Sequence, residues 1–254
     1  MHTRPLGRTG LEVSVLGFGA FKIGRNQGIK YDQAYRLPDD AEVGELMATV
    51  RGLGISYIDT APAYGTSEER LGRVLAKHQA GEVISTKVGE TFQDGVSQYD
   101  YSPESTRGSV ERSALRLGRD VLDIVLVHSD GNDLSIQDST GVVETLLALK
   151  AEGRVRAVGF SGKTTEGAFR ALEWADLLMV EFHIEDRSHE EVIREAHQQG
   201  IGVVVKKGLA SGQLPAAEAI GFVLAQPGVS SLIVGSLDAG HLTENALAAM
   251  RAKS

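Results

Sequence analysis

The chain has 254 residues, a length that fits one large domain or two small ones, and its 42% hydrophobic content supplies a core and excludes global disorder. Acidic residues exceed basic ones by 34 − 26 = 8 and the basic residues are scattered, so neither nucleic acid nor an anionic membrane is an expected partner. The absence of cysteine excludes disulfides, thiolate-bound metals and thiol nucleophiles, which suits the cytoplasm; the N-terminus has no apolar signal core, and no stretch approaches the ~18 apolar residues of a spanning helix.

Residues 1–12 read as a hairpin turning at Gly7-Arg8-Thr9-Gly10. Short Val-, Ile- and Leu-rich runs then predict eight strands, at 13–17, 57–59, 83–87, 123–128, 155–160, 177–182, 202–205 and 231–234. Helical periodicity follows each, at 39–53, 67–78, 103–117, 140–152, 165–175, 189–199, 215–226 and 241–250. Thr66 with Glu69 and Ser188 with Glu191 have capping-box spacing, Pro103 follows Ser102 at a helix start, and Gly118, Gly153 and Gly200 sit at helix ends. Two connections are long: 19–38, carrying Phe21 and Tyr31, and 89–101, carrying Phe92 and Tyr99.

Strict alternation of strand and helix implies a parallel sheet, and near-continuously apolar strands imply cover on both faces. Eight units of about 32 residues match a closed (β/α)8 TIM barrel with a short N-terminal β-hairpin, forming one domain over residues 1–254. No length remains for a second domain or a closing C-terminal loop, so specificity is expected from the two long βα connections, with Phe21, Tyr31 and Tyr99 as candidates for substrate contact. Trp174, on the fifth helix, is expected to pack.

The C-terminal strand ends carry polar groups. Asp59 ends the second strand, Lys87 the third and His128 the fourth, and Tyr64 lies just beyond Asp59. A tyrosine of ordinary pKa near 10 is a slow proton source at neutral pH; an adjacent ammonium, Lys87, lowers that value, and Asp59 keeps the lysine protonated and oriented. His128 would hydrogen-bond a substrate oxygen beside the Tyr64 hydroxyl. The set predicts proton transfer at a carbonyl or alcohol oxygen.

The runs Asp59-Thr60-Ala61-Pro62-Ala63-Tyr64-Gly65, Ser85-Thr86-Lys87-Val88 and Leu122-Asp123-Ile124-Val125-Leu126-Val127-His128 resemble the Asp–Tyr–Lys–His tetrad of the aldo-keto reductases. Leu6 to Ser14, Asp100-Tyr101-Ser102-Pro103-Glu104 and His241-Leu242-Thr243-Glu244-Asn245 are similar to that family too, so the resemblance spans essentially the whole chain. It implies a monomeric barrel enzyme that reduces aldehydes or ketones reversibly, taking hydride from a nicotinamide cofactor, with NADP(H) favoured over NAD(H), while Tyr64 supplies the proton. The cofactor contacts it implies are Gly19, Ala20, Phe21, Ser161, Lys206, Leu209, Ser211, Gly235, Ser236, His241, Glu244 and Asn245.

Several positions depart from the family pattern. Of the three residues that hold the nicotinamide carboxamide, only Ser161 is kept; Gly162 stands for Asn and Met179 for Gln. Lys206 replaces a stacking Tyr, and Leu237 and His241 stand where Lys or Arg often meets the 2′-phosphate.

Gly17-Phe18-Gly19 lacks the third glycine of a dinucleotide-binding G-x-G-x-x-G, so a Rossmann domain is rejected. The cluster His183-Ile184-Glu185-Asp186-Arg187-Ser188-His189-Glu190 invites a metal, but no H-E-x-x-H is present and the capping box accounts for its later part; no metal is expected. Two competing readings are a non-catalytic, cofactor-sensing relative, favoured by the eroded nicotinamide contacts, and a lyase using Lys87 or Lys206 as a Schiff base.

Overall fold

A computed structural model describes residues 1–28, 35–76 and 81–252. Strands β1 (Thr3–Pro5) and β2 (Glu12–Ser14) form the antiparallel N-terminal hairpin. The barrel strands are β3 (Leu16–Gly19), β4 (Tyr57–Asp59), β5 (Val83–Val88), β8 (Leu122–His128), β9 (Val155–Ser161), β10 (Leu177–Glu181), β11 (Gly202–Lys206) and β12 (Val229–Val234), closed in that order and parallel. A second hairpin, β6 (Glu90–Gln93) with β7 (Val96–Tyr99), stands on the connection after β5. The outer layer comprises α2 (Asp40–Gly52), α3 (Ser67–Leu75), α4 (Pro103–Leu117), α6 (Val142–Ala151), α7 (Thr165–Ala171), α8 (Glu190–Gln199), α9 (Ala216–Ala225) and α10 (Ala239–Arg251). Two short helices, α1 (Phe21–Gly24) and α5 (Asp133–Ser139), sit in βα connections.

Strand alternation separates two cores. Along β8, Ile124 and Leu126 point into the barrel while Val125 and Val127 face the helices; along β10, Leu177 and Met179 point inward while Leu178 and Val180 point out. This is why the strands read as unbroken apolar runs. Leu6, Leu11 and Val13 of the hairpin join Tyr57, Ile124, Leu126 and Ala157 in the inner cluster, so the hairpin plugs the N-terminal end. Burial of each large apolar side chain contributes roughly 1.5–3 kcal/mol.

Three expectations are corrected. The run 13–17 contains parts of two elements: Val13 and Ser14 belong to the hairpin, and the first barrel strand starts at Leu16. Only Val15 separates the two strands, and all these residues are buried, so no polar punctuation marks the break. Neither proposed capping box forms. Ser67 heads α3 and donates to the Ala20 carbonyl, leaving Thr66 without a capping bond, while α8 starts at Glu190 and Ser188 Oγ meets His189 Nδ1. The capping box present is that of Asp39 and Glu42 on α2. The helix at 67–78 is described only to residue 76, and Tyr31 lies outside the described residues.

Other signals hold. Ser102 caps α4 ahead of Pro103, and Gly118, Gly153 and Gly200 take positive φ at helix ends. Trp174 packs edge-on against Phe160 and donates Nε1–H to Gln137. Among the described residues no helix is long and apolar enough to cross a membrane.

Candidate active site

The parity that fills the barrel also aims its chemistry. In β4, Tyr57 points inward and so does Asp59; in β5, Val83 does, as do Ser85 and Lys87; in β8, Ile124 and Leu126 set the same face for His128. The same count turns Ser161, Glu181 and Lys206 inward at the ends of β9, β10 and β11. These six line one cavity of about 1240 Å³ at the C-terminal mouth, together with Tyr64, Glu90, Ile233, Ser236 and Asn245. Strand β3 contributes glycine at its inward positions, where Ile233 lies close: a Cβ on Gly17 would be 2.5 Å from Ile233 Cδ1 and one on Gly19 2.9 Å from Ile233 Cγ2, so a larger residue would displace that side chain.

Asp59 and Lys87 form a buried, fully hydrogen-bonded ion pair. Lys87 Nζ lies 2.7 and 2.8 Å from the two Asp59 oxygens and 2.8 Å from the Thr60 carbonyl, while Ser85 Oγ donates to Asp59 Oδ1 at 2.7 Å. Burial works against the ammonium, yet Asp59 and Tyr64 hold the Lys87 pKa above its ordinary value. Its Nζ sits 4.6 Å from the centre of the Tyr64 ring, which packs edge-on against Phe21 and His128.

The Tyr64 titration departs from expectation. Burial pushes the phenol up to about 12, and Lys87 pulls it down only part of the way, against Asp59 and Glu90. Desolvation outweighs the single ammonium because that ammonium is already neutralised by Asp59. Tyr64 therefore stays protonated at neutral pH, in the state of a proton donor.

Glu90, the first residue of β6, is a site residue the sequence reading missed. Its Oε2 lies 2.8 Å from His128 Nδ1, though not along a hydrogen-bond direction, and its Oε1 accepts from Ser97 Oγ at 2.6 Å. Burial opposes its ionisation, but His128, Ser97 and Arg25 hold its pKa near 2. Burial lowers the pKa of His128 below its usual value despite Glu90. The signal that could have found this element is Asp94-Gly95, a two-residue hairpin turn; both residues have positive φ, 52° and 82°.

The cofactor side is built differently. Lys206 Nζ donates to Ser161 Oγ at 3.0 Å and to the Gly162 carbonyl at 2.8 Å. Burial, with Lys207 and Lys87 nearby, lowers its pKa to about 8. The glycine at 162 has a local cause: a Cβ there would lie 2.6 Å from the Phe160 ring and 2.8 Å from Asp133 Oδ2, the oxygen that accepts the Lys163 and Thr164 N–H groups. Past β11, Lys207, Ala210 and Ser211 are three of the four described non-glycine residues with positive φ, and Gly212 follows at +94° with open space around its Cβ position. The loop closes on itself: the Ala210 N–H donates to the Lys207 carbonyl, those of Gly212 and Leu214 to Leu209 and that of Gln213 to Ala210, which leaves a tight turn of small residues that a ligand can approach closely.

Of the sequence-predicted contacts, Gly19, Phe21, Ser161, Lys206, Leu209, Ser211, Gly235, Ser236, His241, Glu244 and Asn245 line the cavity. Ala20 does not; it is fully buried, its N–H given to Asp59 and its carbonyl accepting from Ser67. Tyr99 also lies away, stacked on Tyr101 over a separate small groove. Glu181, His183 and Asp186 bring ligand atoms within 4.8 Å of one another, but Glu181 already pairs with Lys207 and Asp186 accepts the Ser188 N–H.

A closed barrel with a buried acid–base group, an adjoining ion pair and a large cavity at one mouth defines the class: a (β/α)8 enzyme working at the oxygen of a carbonyl or alcohol. The model of the aldo/keto reductase family matches residues 15–219, and the chain belongs to that family. It is 31% identical to L-galactose dehydrogenase of Arabidopsis thaliana over 84% of this chain and 67% of the relative, and 30% identical to the NADH-specific methylglyoxal reductase of Escherichia coli over 84% and 69%. A crystal structure from Pseudomonas aeruginosa, described as an aldo-keto reductase, superposes with a TM-score of 0.91 at 48% identity, covering 98% of this chain and 94% of that one. The holo form of an aldo-keto reductase from Bacillus halodurans gives 0.84 at 26% identity over 100% and 92%. The protein is thus a nicotinamide-dependent oxidoreductase of carbonyl and alcohol groups, a reading these relatives support over a non-catalytic sensor or a Schiff-base lyase.

Proposed function

We propose that residues 1–254 act as one catalytic unit, a monomer in the cytoplasm, in which Tyr64 donates a proton to the oxygen of a small aldehyde or ketone as its carbon receives hydride, with the reverse for alcohol oxidation. The observation that carries this is the Asp59–Lys87–Tyr64 arrangement: a doubly anchored ammonium beside a buried, protonated phenol. The bound nicotinamide supplies and accepts the hydride.

The residues present fit such a cofactor. The small-residue turn at 208–212 would let a pyrophosphate approach the backbone closely, and Ser161 with Lys206 would hold the carboxamide. Lys206 supplies the donor that Gly162 and Met179 do not; its two neutral oxygen partners hold the ammonium in place without neutralising it. Gly235, Ser236, His241, Glu244 and Asn245 would carry the adenosine end, where His241 and Ser236 would favour NADP(H) and the exposed Asp238 carboxylate, which caps α10, would keep that margin small. The test is turnover of an aldehyde panel with NADPH and NADH. Absence of NADPH oxidation with every carbonyl tried, by a folded protein that binds the dinucleotide, would reject the reading.

A further inference from the structure

The tetrad histidine has a partner that the catalytic reading leaves unused. Glu90 and His128 come from different elements, β6 and β8, and meet at the cavity wall with Oε2 2.8 Å from Nδ1. Nδ1 is buried, whereas the ring lines the cavity, so Nε2 is the nitrogen left to face a ligand. Glu90 is itself only 9% exposed, and Ser97 Oγ donates to its other oxygen.

These contacts decide where the imidazole proton sits. An ionised carboxylate only accepts and repels an imidazole lone pair 2.8 Å away, so the proton is favoured on Nδ1 even with its N–H off the line to the oxygen. Glu90 is ionised at any neutral pH, and burial keeps His128 from gaining a second proton there. The groups around the pair are Arg25 and Tyr99 on the Glu90 side, and Lys87, Tyr64 and Lys206 on the His128 side. Lys87 and Lys206 both disfavour a second proton on the ring. One proton on Nδ1 leaves a lone pair on Nε2. A lone pair repels a carbonyl oxygen and accepts from a hydroxyl.

We infer that Glu90 is a positioning residue that locks His128 in the Nδ1–H form, so that Nε2 accepts the hydroxyl of an alcohol substrate and the site recognises the alcohol in preference to the carbonyl. In the resting, protonated state Tyr64 donates to the same oxygen, giving the bound hydroxyl one donor and one acceptor; oxidation follows once the phenol has lost its proton and can take that of the hydroxyl. A carbonyl is offered the donor alone. This deepens the proposed reaction and rests on it for the placement of substrate. The tautomer itself does not depend on turnover.

The test reads the tautomer first. Imidazole 15N spectra of the protein at neutral pH, with His128 assigned among the seven histidines by comparison with His128→Asn, are expected to show a protonated Nδ1 and an unprotonated Nε2. In Glu90→Gln the amide can donate to Nδ1, and the proton is expected to move to Nε2; Glu90→Asp, which keeps the carboxylate, is expected to retain the original form. With the tautomer reversed, the KM for an alcohol is expected to rise and that for the corresponding aldehyde to fall, each about tenfold for one hydrogen bond gained or lost. A protonated Nε2 in the parent protein overturns the inference, and needs no variant to fold. So does an unchanged ratio of the two KM values in a Glu90→Gln protein whose tautomer has switched. Failure of the broader catalytic reading looks different: Tyr64→Phe would then stay active whatever the tautomer.

Discussion

The two sides of the barrel mouth hold one lysine each, Lys87 buried and Lys206 half-buried, and treat it in opposite ways. On the β4–β5 side Lys87 has a carboxylate bonded through both oxygens, and its pKa rises. On the β9–β11 side Lys206 has a hydroxyl and a carbonyl as partners, and its pKa falls to about 8. A lysine neutralised within the protein is part of the scaffold; one held by neutral groups keeps unspent charge for a ligand. The contrast assigns Lys87 to tuning Tyr64 and Lys206 to the cofactor.

The largest expected effect falls on the paired side. Tyr64→Phe removes the phenolic proton held beside Lys87 and is expected to lower kcat about 10²- to 10⁴-fold with dinucleotide affinity retained, checked by steady-state rates alongside fluorescence titration. Asp59→Asn leaves a buried ammonium without its counter-charge, expected to cost about 3–5 kcal/mol of stability and to lower Tm by roughly 10 °C. The raised Lys87 pKa gives the sign of the pH dependence. The pair's contribution is complete below the unfolded lysine's pKa and is lost only as alkaline pH passes the folded one.

Lys206→Met should do the reverse. Removing a half-buried cation with no counter-charge bonded to it is expected to leave Tm unchanged or higher, while the loss of a charge-assisted contact weakens dinucleotide binding about 10- to 100-fold. Because the ammonium form makes that contact, parental binding should weaken as pH rises through about 8, and the variant should lose this dependence. Calorimetric binding curves across that range, with thermal melts, read both. A fall in Tm matching that of Asp59→Asn would break the comparison.

Legibility followed the same division. The tetrad was readable because each member but Tyr64 ends a strand, where inward parity and an apolar run locate a polar residue without knowledge of its neighbours. The roles of Glu90 and Gly162 were not, because each depends on contact between segments distant in the chain. Gly89, at φ +98°, turns the chain from β5 into the hairpin, and only the folded hairpin brings Glu90 to His128. In the sequence Gly162 is a lost amide; in the fold Asp133 of α5, a helix the periodicity does not reveal, fills the space beside it. The Tyr64 pKa was misjudged for a related reason. Sequence shows which charges are adjacent but not how much solvent is removed, and here burial is the larger effect.

The smallest prediction concerns the adenosine end, where both the paired and the unpaired lysine are absent. His241 is exposed on the first turn of α10, and its N–H is taken by the Asp238 carboxylate. An arginine there would gain a fork suited to a 2′-phosphate at no cost in packing. Exposed ion pairs contribute about 0.2–1 kcal/mol, so His241→Arg is expected to raise the NADPH over NADH ratio of kcat/KM only about 1.4- to 5-fold, and less at high salt. Replacing the exposed Asp238 by Asn removes a repelling charge while keeping a capping side chain, and should act in the same direction. If neither substitution moves the ratio, the 2′-phosphate does not lie against α10. The favoured cofactor would then be set by the loop that carries Lys206, joining cofactor choice to the side of the mouth that keeps its charge unpaired.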